Sequence, residues 1–171
     1  MPGVAPPQRG EDWRGIFRMA NSKRDGIITA IDTRMKTIKT TAGYETGIGT
    51  NVNWWLMAPL DPDSDLPAIC LKDRDRIEWS GIGEHLHSLE ISAEIYIKPT
   101  YTAAAGTMRK AIADMIKCIG VDVTWGGLAQ DTLLPPEDNL TIEQQEYCLI
   151  AVGFKFVVQF LTNAWDPYNY S

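Results

Sequence analysis

The chain has 171 residues, of which 44% are hydrophobic, 22% charged and 9% aromatic, with a formal net charge of −6 and a pI near 4.9. That length matches one domain able to bury about 70% of its unfolded surface, and the apolar content excludes disordered and collagen-like chains. The acidic balance excludes a coat for nucleic acid or anionic membrane, because neutralising phosphates needs clustered Lys and Arg.

Residues 1–20 mix Pro2, Pro6, Pro7 and charge with Trp13, Ile16, Phe17 and Met19, and read as an N-terminal arm whose apolar residues need a surface to dock on. The arm has no basic segment followed by an apolar stretch, so it does not read as a secretory leader. Residues 21–171 read as one domain without internal repeats. Asn21 or Ser22 can cap a helix in which Ile27, Ile31, Met35 and Ile38 recur at spacings of four, four and three, marking one buried face. Gly43, Gly47 and Gly49 break it, and 50–58 reads as a strand ending before Pro59.

A loop of prolines and aspartates over 59–67 leads to a short strand, 68–71. Asp73, Arg74, Asp75 and Arg76 alternate in sign, which suits an exposed turn. Over 89–97 the odd positions Leu89, Ile91, Ala93, Ile95 and Ile97 are apolar and Glu90, Ser92 and Glu94 polar, the pattern of a strand with one face on a core. A second helix is predicted over 103–119, with Met108, Ile112, Met115, Ile116 and Ile119 on one side and Gly120 as its stop. A short strand over 121–125 and a loop over 126–139 follow. A long strand over 146–161 carries Cys148, Ile150, Val152, Phe154, Phe156, Val158 and Phe160 on one face and Leu149, Ala151, Val157 and Leu161 on much of the other. This order predicts an α+β fold, a mainly antiparallel sheet with two principal helices packed on it. No uninterrupted apolar run approaches the ~18 residues of a membrane span.

Tests for chemistry return little. His85 and His87 sit two apart, which on a strand points both imidazoles to one face, but a zinc site needs a third ligand and Glu84 and Glu90 fall on the opposite parity. The better reading extends the strand's inner face through both histidines. Asp61, Asp63 and Asp65 mimic the opening of a calcium loop, yet Leu66 and Lys72 stand where Gly and Glu are required. Gly43, Gly47 and Gly49 follow a helix and lack the Lys and Ser/Thr of a phosphate loop. There is no nucleophile elbow, Glu143 and Glu146 are uninformative in an acidic chain, and Cys70, Cys118 and Cys148 lie in apolar runs as small buried hydrophobes. The expectation is a protein without a catalytic site, metal or cofactor.

Unassigned apolar surface remains. Trp54 and Trp55 are adjacent, so on a strand they point to opposite faces, and Trp13, Phe17, Trp165 and Tyr168 sit on extensions at the two ends. Such surface marks an interface unless arm and tail fold back over their own subunit.

Several segments carry a likeness. Ala111-Ile112-Ala113-Asp114 through Gly120, Thr124-Trp125-Gly126-Gly127-Leu128-Ala129, Asp131-Thr132, and an acidic segment with a strand ending in Trp165-Asp166-Pro167-Tyr168 resemble the tail terminator, or tail completion, proteins of tailed bacteriophages. Leu66-Pro67-Ala68-Ile69 and the Glu90 to Ile97 strand fit the same pattern. The resemblance spans about Asn21 to Tyr168, and the long Pro-rich arm departs from it. It implies a virion structural protein, made in the bacterial cytoplasm. Six copies would form a homo-oligomeric ring that caps the tail tube protein and joins it to the head–tail connector, with genomic DNA passing through the lumen unbound and no membrane involved. Trp54, Trp55, Trp165, Asp166, Pro167 and Tyr168 are the expected contact residues. The alternatives are another connector, neck or minor tail protein and, more distantly, a zinc-dependent enzyme using His85 and His87.

Overall fold

The computed structural model describes residues 21–56, 58–98, 103–135, 140–145 and 149–168. The expected arm, Glu146 and Cys148 lie outside the described residues. Helix α1 (Lys23–Met35) is followed by β1 (Asn51–Trp54), β2 (Ala68–Ser80), β3 (Glu84–Ile97), α2 (Ala104–Gly120), β4 (Asp131–Leu133), β5 (Leu140–Gln145) and β6 (Leu149–Asn163). The strands make one sheet in the order β1-β2-β3-β6-β4, with β5 also pairing with β6. The β1–β2 pair is parallel and every other pair antiparallel. The predicted α+β class, with a mostly antiparallel sheet and two helices, is the observed one.

Ser22, and not Asn21, starts α1. Its hydroxyl accepts from the Asp25 amide at 3.1 Å and the Asp25 carboxylate accepts from the Ser22 amide at 3.3 Å, a reciprocal capping box. The stripe Ile27, Ile31, Met35 and Ile38 is fully buried. Gly49 closes the far end of this helix: its amide donates to the Ile38 carbonyl at 3.0 Å, and a Cβ there would lie 2.2 Å from the Met35 carbonyl oxygen. Only glycine fits that approach.

Register fixes which residues face the helices. Directly opposed residues share a face, and β2 pairs Leu71 with Ala93, while β3 pairs Ile91 with Phe156 and Leu89 with Val158. The odd positions of β2 and β3 and the even positions of β6 therefore form one inner face, and Ile69, Leu71, Leu89, Ile91, Ile95, Val152, Phe154, Phe156 and Phe160 are buried there with α1 and α2. The predicted parities of β3 and β6 are those observed. On the second face of β6, Ala151 is buried, Val157 and Leu161 are half-buried and Lys155 is exposed.

Five local expectations are corrected. The strand predicted over 50–58 ends at Trp54, because the chain bends at Trp55, whose φ is 50°. The short strand predicted over 68–71 continues to Ser80, so Asp73 to Arg76 are strand and not turn. Within this strand β1 pairs only with Ala68–Leu71. Among the described residues, no strand pairs with the other edge of β2 beyond that point, and alternating charge is how an open edge resists further pairing. The third correction concerns 121–125, which form turns. Trp125, Gly126 and Gly127 all have positive φ, and the Asp122 carboxylate accepts from Thr124 and Gly126 amides at 2.9 and 2.7 Å, a geometry a strand cannot hold. The loop predicted over 126–139 contains β4. Finally, α2 buries Met108, Ala111, Met115, Cys118 and Ile119, leaving Ile116 44% exposed.

Candidate functional site

Asp114, Asp122 and Trp125 serve the fold. Asp114 on α2 is buried and accepts from the Glu45 amide at 3.1 Å, the Thr46 amide at 2.7 Å and the Thr46 hydroxyl at 2.6 Å, fastening the 45–46 loop to the helix. Trp125 is buried with its indole N–H on the Thr132 hydroxyl at 2.8 Å, and the Arg34 guanidinium lies 4.5 Å from its ring centroid. Hydrogen bonds from the Thr124 hydroxyl, then from the Gly126 and Thr124 amides, hold the Asp122 carboxyl far below the usual carboxylate range.

The inner sheet face changes character towards the β2–β3 turn. Past Leu71 and Leu89 it is floored by Asp73, Asp75, His85, His87 and Thr162. His87 Nδ1 lies 3.0 Å from Asp75 Oδ2 and Nε2 lies 3.0 Å from the Thr162 hydroxyl. A carboxylate can only accept, so Nδ1 carries a proton; in the neutral ring Nε2 then accepts from Thr162. The ring also stacks on Phe160, with centroids 4.6 Å apart. His85 is 6% exposed, and its Nε2, like Asp75 Oδ1, is buried without a hydrogen-bond partner. Asp73 is bound by the Arg24 guanidinium and accepts from the Trp55 indole N–H at 2.6 Å.

The histidines thus extend the inner face, as the sequence predicts, and both nitrogens of His87 are occupied. Among the described residues, no three His, Cys, Asp or Glu side chains converge as metal ligands. Asp75–His87–Thr162 repeats the carboxylate–imidazole–hydroxyl order of a nucleophile relay, with the Thr162 hydroxyl on a residue only 3% exposed. Burial pushes the Cys70 and Cys118 thiols up, against the thiolate a nucleophile needs. On the outer surface of α1, the Thr29, Thr33 and Thr37 hydroxyls donate to helix carbonyls, so the shallow groove they line offers no free nucleophile. Among the described residues, no helix is long and apolar enough to cross a membrane.

The expected contact residues divide. Trp54 is half-buried against the core, with its indole N–H on Asp32 at 3.2 Å. Trp55 and Tyr168 are over half exposed, and Trp165 is 91% exposed with one edge on the His85 ring, centroids 5.3 Å apart. The tail backbone lies on its own subunit: the Pro167 carbonyl accepts from the Lys23 amide at 3.0 Å, and Asp166 bridges Asn163. Trp55 and the tail meet through the first turn of α1, since Arg24 holds Asp73 beneath Trp55 while Lys23 holds Pro167.

Sequence reasoning missed the end of the β2–β3 hairpin, where Ile77 and Trp79 are half-exposed and Ile82 fully exposed. A bulge between Ile77 and Trp79 sets Trp79 opposite Leu86, on the outer face, with its indole across Gly81. Ile69, Leu71 and Ile77 at odd positions, with a period-2 charge alternation between them, were the available signal for this strand. No protein-family model matches the chain, and no curated protein matches it significantly.

Proposed function

We propose that this protein is a ring-forming structural subunit of a bacteriophage tail, capping the tail tube and joining it to the head connector without turnover. The observation that carries the reading is the apolar hairpin end: Trp79 and Ile82 are left to water at the tip of two strands of 13 and 14 residues. Large apolar side chains exposed at a hairpin end fit a contact with another subunit, and Trp55 and Tyr168 add to that surface. The likeness to tail terminators supplies the kind of assembly.

The outer sheet face bears Lys72, Arg74, Arg76 and Lys155 beside Glu78, Glu90 and Glu94, charges of both signs. It would not repel DNA. In a ring traversed by DNA, a more acidic surface would suit the lumen, where like-charge repulsion limits sticking.

Light scattering and negative-stain microscopy test the reading directly. Rings should form alone or on mixing with tail tubes, and a strictly monomeric mass in both cases overturns it. Particles made without the protein should have tails of uncontrolled length; normal tails detached from heads would instead favour a connector.

A further inference from the structure

Strand β2 keeps an open edge beyond Leu71. The Trp55 amide donates to the Leu71 carbonyl at 2.8 Å, and there β1 leaves the sheet. The N–H and C=O of one strand residue point to the same side and those of the next residue to the other, so Leu71 fixes the alternation. Lys72, Arg74 and Arg76 turn their backbone groups to β3, whereas Asp73, Asp75 and Ile77 turn theirs outward. Among the described residues, no backbone group bonds to this outward set.

The side chains of the edge are sorted by face. On the inner face Asp73 and Asp75 are already engaged, by Arg24 and His87. On the outer face Lys72, Arg74 and Arg76 form a cationic row at every second residue. Lys72 bonds to Glu94 and Arg76 to Glu78, but the exposed Arg74 makes no ion pair with a described residue.

We propose that this edge takes an extended acidic segment of a partner protein, added as a strand beside residues 72–77 with Glu or Asp at every second position. The outward N–H and C=O groups of Asp73, Asp75 and Ile77 supply the pairing, and the row of Lys72, Arg74 and Arg76 selects the sequence. An added strand sets its outer side chains about 5 Å from that row. Glu90 and Glu94 on β3 are two strand spacings away, about 10 Å, close to a screening length at ~0.1 M salt. The nearer cations therefore decide. A second copy of β2 does not fit, because every antiparallel register centred on Arg74, Asp75 or Arg76 sets that residue against its own copy, like charge on like charge. The alternation of sign thus turns away other copies of the edge and admits a complementary strand. The inference does not rest on the ring reading.

The test adds fluorescein-labelled peptides to the full chain: a nonapeptide alternating Glu and Thr, one alternating Lys and Thr, and the Glu peptide N-methylated throughout. Anisotropy should show the Glu peptide binding and the other two at least about tenfold weaker, since one reverses the cross-strand charges and the other removes the backbone donors. On binding the Glu peptide, amide exchange at Asp73, Asp75 and Ile77 should slow about fivefold. Arg74→Glu with Arg76→Glu should weaken binding about tenfold and Arg74→Lys with Arg76→Lys should retain it, with circular dichroism establishing that each variant folds. The peptide comparison and the exchange pattern use the unaltered chain and decide the matter on their own. No binding of the Glu peptide, equal binding of the Lys or N-methylated peptide, or binding without slower exchange at those three amides overturns the proposal. None of these results bears on whether rings form.

Discussion

The two ends of the inner sheet face are built on different physics. At one end Leu71, Ile91, Phe154 and Phe156 are sealed by α1 and α2 in an apolar layer. At the other end the same strands present Asp73, Asp75, His85, His87 and Thr162, which are ordered by hydrogen bonds and incompletely satisfied. The first arrangement stabilises in proportion to apolar area and tolerates no gap. The second gains little net energy per bond but loses more when one partner is removed. Stability should therefore reside in the helix-covered end, and adaptability in the hairpin end.

Substitutions at the covered end should have the largest effects. Phe156→Ala removes a fully buried ring from the centre of the sheet and should cost about 4 kcal/mol, read as a shift in urea midpoint at unchanged slope. A cost near 1 kcal/mol would mean that the helices do not seal this end. Asp114→Ala comes next, at about 3 kcal/mol, because it orphans two amides and the Thr46 hydroxyl at once. The accompanying signature is faster hydrogen exchange at Glu45 and Thr46 than at the β3 amides.

The hairpin end should respond more weakly but with coupling. His87→Ala and Asp75→Ala are expected to cost about 1–2 kcal/mol each, with a double-mutant coupling near 1 kcal/mol that reports the 3.0 Å contact. Additive costs would show that the pair is not held in solution, and would leave His87 fixed only by Phe160 and Thr162.

The contrast was half visible in the sequence. Period-2 alternation in β3 and β6 and the Ile27, Ile31, Met35 stripe identified the sealed end because apolar side chains report their face without a partner. The hairpin end was hidden because Asp73 and Asp75 replace apolar residues at inner positions of β2, where charge mimics a turn. The bulge then changes the parity before Trp79, so the aromatic that alternation would set beside His85 goes outward and Trp165 takes its place. Adjacency on a strand sets Trp54 and Trp55 apart, one against the core and one exposed. What no local pattern announces is the bend at Trp55 that ends the strand.

The outer face supplies the baseline for both ends. Glu94 there accepts from Lys72 at 2.8 Å and from the Tyr96 hydroxyl at 2.8 Å. The Lys72 hydrogen bond is the main force holding its carboxyl below the ordinary value of 4.5; burial opposes it and Tyr96 assists. A carboxyl depressed in the folded state adds stability above its unfolded pKa, and that stability is lost as pH falls through the folded value. Both side chains are about two-fifths exposed, so screening limits the gain to about 0.5 kcal/mol. Glu94→Gln should therefore cost at most about 0.5 kcal/mol at pH 7, and the wild-type advantage should be lost as pH falls through and below the ordinary carboxylate range. It should also shrink in 1 M salt, where the screening length falls to about 3 Å. A cost above about 1.5 kcal/mol that persists in salt would mean the outer face is not solvated, and that a third layer covers the sheet from the side opposite the helices.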